Sequence, residues 1–382
     1  MSDAARAGAQ CRFSGFCAES TYGYAEVQGG DLASEAYLDW MGRNVLVTGG
    51  ASFIGSHLVE QLVARGARVR VVDDLSSGRV ENISHLVDGG AVTLVDADLR
   101  RQDVVQRAVE GVSVVFHLAA DHGGRGYVDL HQAACASNLG LDGMLFLACR
   151  DHGVEKVVYA SSGCVYPNFL QTEPEEVVYL REEMVGPPYD CDNMYGYAKL
   201  MAELTLKAYC AEWGMKAASC RYFTVFGERG KEDHAVMAMI ARAFVKQDPF
   251  PVWGTGEQIR NWTYVGDIVR GTILAAEMID DGSAVNLGTM ERTRVLDAVA
   301  EVLRYTGHEA EISLQPEMPT GPMNRVADNT RAECLLGWKP EVPFVEGLHR
   351  TIDWYYSTKQ PDDVRRILED GGLIERRVEL VQ

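Results

Sequence analysis

Asn44-Val45-Leu46-Val47-Thr48-Gly49-Gly50-Ala51-Ser52-Phe53-Ile54-Gly55 is the stretch that decides the fold. A short apolar strand runs into a glycine turn, and Leu58, Val59, Leu62 and Val63 follow at helical spacing. Strand, glycine turn and helix start are the opening unit of a dinucleotide-binding fold. Gly49 allows the tight turn and Gly55 lets helix and sheet pack closely. Backbone N–H groups at the helix start then face a pyrophosphate. The pattern Gly-x-x-Gly-x-x-Gly is broken once, by Ser52, which can still line a phosphate site but makes the backbone approach tighter.

The following strands continue the pattern. Arg68-Val69-Arg70-Val71-Val72 ends in Asp73-Asp74, and Asp73 stands 24 residues after Gly49. An acid at that distance bonds the adenosine ribose hydroxyls and repels a 2′-phosphate, which favours NAD over NADP. Val92-Thr93-Leu94-Val95 leads to Asp96-Ala97-Asp98-Leu99, and Val112 to Leu118 leads to Ala119-Ala120. Buried-strand patterns alternating with helical segments predict an α/β, doubly wound parallel sheet.

A second constellation lies further on. Tyr195 and Lys199 are four residues apart in Asn193-Met194-Tyr195-Gly196-Tyr197-Ala198-Lys199, so one helix face carries both. A cationic Lys199 beside the phenol is expected to lower the Tyr195 pKa from its usual ~10. Such a tyrosine takes a proton from a sugar hydroxyl near neutral pH, and Ser162, after the apolar run Val157 to Ala160, can hold the same hydroxyl.

Composition narrows the class. The chain has 382 residues with 47% hydrophobic residues, enough for one large or two moderate domains. A formal charge of −19 argues against a nucleic-acid surface, and no apolar run approaches the ~20 residues of a membrane span. Nine cysteines without CxxC or metal spacing point to reduced thiols, no metal site and a cytoplasmic location. Residues 1–40 lack a periodic apolar face and read as a tail ahead of a start near Met41, with Tyr22, Tyr24 and Tyr37 as anchors if it docks. Residues 358–382 read as a charged peripheral helix or tail.

In their order along the chain, these motifs resemble the extended short-chain dehydrogenase/reductase family. The glycine turn, Asp73, Asp98-Leu99, His117-Leu118-Ala119-Ala120, Ser162, Tyr195, Lys199, Trp253-Gly254-Thr255-Gly256 and Val285-Asn286-Leu287-Gly288 carry the resemblance, from Asn44 to Tyr356. It implies an NAD-binding Rossmann domain over 43–225 and about 265–290. A smaller α/β substrate domain would span 226–264 and 291–357. It also implies a nucleotide-diphosphate sugar as substrate, and Gly49, Gly50, Ser52, Phe53, Ile54, Gly55, Asp73, Asp98, Leu99, Ala119, Ala120, Tyr195 and Lys199 around the NAD. A homodimer through helices near 129–151 and 193–213 is usual for the family.

Within the family, three stretches are similar to the GDP-mannose 3,5-epimerase group: Gly123-Gly124-Arg125-Gly126-Tyr127, Ser162-Gly163-Cys164-Val165-Tyr166-Pro167 and Arg325-Val326-Ala327-Asp328-Asn329. That likeness implies Gly124, Arg125 and Gly126 in a substrate loop and Cys164 as an acid/base group. His234, or Lys231 if the loop is shorter, would be the second acid/base group. Arg260 and Arg325 would hold the diphosphate, and Thr224 stands where the family usually has asparagine. Trp253 and Trp262 can stack on a base or pack in the core. Gly163-Cys164 offers no carboxylate where the 4,6-dehydratases and decarboxylases carry one. The alternatives are a 4-epimerase of the UDP-glucose or UDP-glucuronate type, and an NAD-binding sensor without turnover.

Overall fold

The computed structural model describes residues 38–173 and 177–369. Seven strands, β1 (Asn44–Thr48), β2 (Arg68–Asp73), β3 (Val92–Asp96), β4 (Val114–His117), β5 (Lys156–Ser162), β6 (Lys216–Tyr222) and β7 (Asp281–Leu287), form one sheet. Their order is β7-β6-β5-β4-β1-β2-β3, with every neighbouring pair parallel. Helices cover both faces, so the strands read as nearly continuous apolar runs. In β1, Val45 and Val47 enter one buried cluster and Leu46 the other. The chain builds outward from β1 to β3, then returns to β4 on the other side of β1. This reversal leaves a crevice beyond the carboxyl ends of β1 and β4, the place where such sheets bind ligands.

Among the helices that bring residues to that crevice are α1 (Phe53–Ala64), α2 (Asn138–Asp151) and α3 (Asn193–Trp213). The last is stopped by Gly214 in the left-handed conformation. A further apolar cluster gathers Phe226, α4 (Ala235–Phe244), Phe250, Val252 and Trp262 with the helices Val295–Thr306 and Phe344–Thr358. Beside it, Ile259–Arg260, Thr293–Arg294 and Asn324–Arg325 form a small three-stranded sheet whose register sets Arg325 next to Arg260.

One edge departs from the sequence reading. Trp40, assigned to the tail, is buried; its indole donates to Glu277 at 2.6 Å and its ring lies 5.9 Å from Phe116. Large apolar surface of that kind is retained in a core rather than left in a tail. Residues 1–37, with Tyr22, Tyr24 and Tyr37, lie outside the described residues. Toward the other end, Pro361–Glu369 is a helix that buries Val364 in the cluster around α4, and residues 370–382 are again outside the description. Among the described residues no helix is long and apolar enough to cross a membrane.

Candidate active site

A cavity of about 1070 Å³ occupies the crevice. On the sheet side it is lined by Gly49, Ser52, Phe53, Ile54, Gly55, Asp73, Asp98, Leu99, Ala119 and Ala120. The turn is built for close approach. Gly49 has φ 69°, and a Cβ on Gly55 would stand 2.1 Å from the Gly49 carbonyl oxygen. Ser52 has φ −82° and ψ −176°, extended backbone that any residue adopts, and it lines the cavity. Gly50 does not line the cavity: it packs on Val71 from behind the turn, where a Cβ would meet both methyl groups at 2.8 Å. Asp73 accepts from the Ala51 and Leu75 N–H groups at 3.0 Å each, which turns its carboxylate toward the turn. Burial pushes that carboxyl above its ordinary range.

Tyr195, Lys199, Ser162 and Cys164 meet on the next wall of the cavity. Lys199 is buried, donates to the Ala160 carbonyl at 2.8 Å, and stands 5.6 Å from the centre of the Tyr195 ring. The pairing is as expected; the direction of the phenol is not. Burial pushes the Tyr195 phenol well up, with Cys164 adding to it, and burial pushes the Lys199 ammonium down. The spacing shows that the two groups meet but carries no information on the low dielectric around them. Cys164 follows Ser162 on a tight turn, its N–H donating to Ser162 Oγ at 3.1 Å. The turn abuts the start of α3 so closely that a Cβ on Gly196 would lie 2.3 Å from the Cys164 carbonyl oxygen.

The opposite walls carry Gly124, Arg125, Thr224, Lys231, His234, Arg260 and Arg325. His234 sits at the N-terminus of α4. The ring of His122 stands between it and Tyr195, 6.1 Å from the one and 6.0 Å from the other. Gly124 donates its N–H to Asp233 at 3.1 Å, joining the glycine loop to the loop that bears His234. Gly126 lies inside the short helix Arg125–Leu130, buried and off the cavity wall, because the helix has already begun. Trp262 is in the core, stacked on Phe344 at 5.1 Å, while Trp253 lines the cavity.

Arg325 is differently placed from the sequence expectation. Its fork is taken up by Gln171 Oε1 at 2.8 Å, Asp192 Oδ2 at 2.8 Å and the sulfur of Cys164 at 3.3 Å. Asp192 also receives Arg125 Nη1 at 2.9 and 2.8 Å. Arg260 gives its guanidinium to the carbonyls of Ile259 and Thr320, and burial, with Arg325 and Arg125 adding, pushes it down to about 9. Among the cations that sequence reading missed, one is unpaired among the described residues. Arg242 of α4 is 7% exposed, lines the cavity, and has no acceptor among the described residues; burial pushes it down to about 10.

Residues 45–288 match the model of the NAD dependent epimerase/dehydratase family. The chain belongs to this family. It is 30% identical over 336 residues to GDP-mannose 3,5-epimerase 1 of Oryza sativa subsp. japonica, covering 87% of this chain and 86% of that one. The structure of UDP-glucose 4-epimerase from Thermotoga maritima with UDP-glucose superposes with a TM-score of 0.74 at 30% identity, covering 82% of this chain and 99% of the other. The Thermus thermophilus UDP-glucose 4-epimerase in complex with NAD gives 0.72 at 30% identity, over 83% and 100%. Membership makes the chain an enzyme with NAD as its cofactor. The residues present fit that group: a turn with no room for a Cβ, a strand-end carboxylate at Asp73, and a crevice at the strand reversal. Gly55→Ala forces a methyl group into backbone, so its NAD affinity should fall about tenfold or more, the scale of a 1–3 kcal/mol overpacking cost. Calorimetric titration with NAD checks this.

Proposed function

We propose that the chain is an NAD-dependent nucleotide-sugar epimerase of the GDP-mannose 3,5-epimerase kind, working through a transient 4-keto sugar. The observation that carries this reading is the placement of Cys164. Its thiol lines the same cavity as Tyr195 and Lys199 and has the Arg325 guanidinium 3.3 Å from its sulfur. Bound NAD supplies a reversible store for the hydrogen of C4. Tyr195 takes the C4 hydroxyl proton, with Ser162 bonding the same oxygen and Lys199 supporting the negative phenolate. The ketone at C4 makes the hydrogens on C3 and C5 acidic. Cys164 and His234 are the acid/base pair that inverts those carbons, with Lys231 beside His234 on the same wall. Return of the C4 hydrogen restores the alcohol and leaves the cofactor unchanged.

The nucleotide diphosphate enters between Arg242 and Arg260. Arg242 has its whole fork available, and the like charges of Arg125, Arg260 and Arg325 favour an anion beside them. Arg325 instead orients Cys164 and Asp192. A second copy of the chain is expected on the outer faces of α2 and α3, which expose Leu139, Leu147, Tyr197, Met201, Leu204 and Trp213.

Three outcomes test these statements. In D2O with GDP-mannose, the enzyme should place deuterium at C3 or C5, and Cys164→Ala should abolish that exchange while bound NAD is still reduced. Inversion at C4 without deuterium, and with Cys164→Ala active, would instead identify a 4-epimerase. Arg242→Ala should raise the Kd for GDP about tenfold to a hundredfold, the size of a lost charged hydrogen bond; an unchanged Kd moves the diphosphate elsewhere. Light scattering should give a dimer mass, and Met201→Glu should shift it toward the monomer.

A further inference from the structure

Behind the cavity wall, a buried line of hydrogen bonds crosses three strands. The parallel register sets Thr48 of β1 beside His117 of β4, and His117 beside Tyr159 of β5. Thr48 Oγ1 accepts the N–H groups of Leu118 and Ala119, each at 3.1 Å. Its own proton then has His117 Nδ1, at 2.7 Å, as partner. Nδ1 is therefore the acceptor, and the ring proton sits on Nε2, which donates to Asp142 Oδ1 at 2.9 Å. The Tyr159 hydroxyl donates to Asp142 Oδ2 at 2.8 Å. Asp142, 2% exposed, thus receives a donor on each oxygen and stands as a carboxylate held by two neutral groups.

The cation that answers this charge is on the next layer. Lys199 Nζ lies 4.6 Å from the centre of the Tyr159 ring, on the same residue whose hydroxyl holds Asp142. Glu203 is the other buried carboxylate facing Lys199, but Arg221 claims it through contacts of 3.0 and 2.7 Å, and Ser161 donates to it as well. Cys164 is the remaining anionic candidate facing Lys199. The groups facing Tyr195 include Ser162, Cys164, Cys135, Asp142, Tyr159, His122 and Lys199.

We propose that Asp142 is the buried counter-ion of Lys199 and, through it, a positioning residue for Tyr195 that sets where on the pH scale the pair operates. This rests on the reading of Tyr195 as the base. Asp142 pushes the Lys199 ammonium up, against the burial that pushes it down, and it pushes the Tyr195 phenol up as well. Removing the charge therefore lowers both. The acid limb of activity, where the phenol must lose its proton, and the alkaline limb, where Lys199 loses its charge, should move together to lower pH.

The test uses Asp142→Asn in the NAD-loaded enzyme. With lysines labelled at 13Cε and Lys199 assigned through Lys199→Arg, the Lys199 signal should titrate lower than in the unsubstituted enzyme by about 1 pH unit or more, the scale for a nearby opposite charge. An unmoved titration overturns the proposal. Turnover of GDP-mannose should show both limbs displaced to lower pH. Limbs that stay in place while the rate falls would reduce Asp142 to a structural role and also overturn it. If GDP-mannose is not turned over by the unsubstituted enzyme, the reading of the reaction fails, while the lysine titration still decides the counter-ion. Should Asp142→Asn not fold, 15N spectra of the histidine rings in the unsubstituted enzyme decide. A His117 ring protonated on Nε2 alone supports the proposal; a doubly protonated ring, which would cancel the Asp142 charge locally, ends it.

Discussion

An ammonium group held out of water beside the carboxyl end of β5 is the constraint around which this protein is arranged. Lys199 is 2% exposed, and among the described residues its ammonium donates to the Ala160 carbonyl near the end of β5. A charge in that position is costly unless the surroundings answer it. The surroundings do so in layers: a carbonyl, the face of the Tyr159 ring, and buried carboxylates beyond. Tyr195 is carried four residues ahead on the same helix, so whatever fixes the lysine fixes the phenol. The three-strand register that aligns Thr48, His117 and Tyr159 joins this arrangement to the turn that receives the cofactor, since Thr48 also binds the N–H of Ala119.

Much of this was legible in the sequence where the signal is local. The strand-turn-helix unit, the strand-end Asp73 and the i, i+4 pair of Tyr195 and Lys199 each express a period or a short spacing, and each stands on the cavity wall. Gly50 and Gly126 were overread because a glycine pattern marks a turn without saying which glycine faces outward. Ser52 breaks the glycine pattern without straining the backbone, which is extended there, and it stands on the cavity wall.

The rest depended on distance along the chain. Arg325 meets partners 154, 161 and 133 residues away, and those partners, not its residue type, commit its fork. Arg242 sits inside Ala235-Val236-Met237-Ala238-Met239-Ile240-Ala241-Arg242-Ala243-Phe244, which reads as a core helix; its side chain matters because α4 borders the cavity. The direction in which the Tyr195 phenol moves was inaccessible for the same reason, because burial is a property of the assembled fold.

The small sheet that holds Arg260 and Arg325 places two guanidinium groups side by side on paired strands, with Asp192 answering Arg325. Whatever free energy that sheet contributes to holding an anion must reappear as added resistance of the sheet itself to opening once the anion is in place. Recognition and local rigidity are therefore one thermodynamic quantity in this half of the molecule. If the sheet does hold an anion, it grips best the molecules that most firm it up, and a ligand too weakly charged to do so leaves from a looser surface.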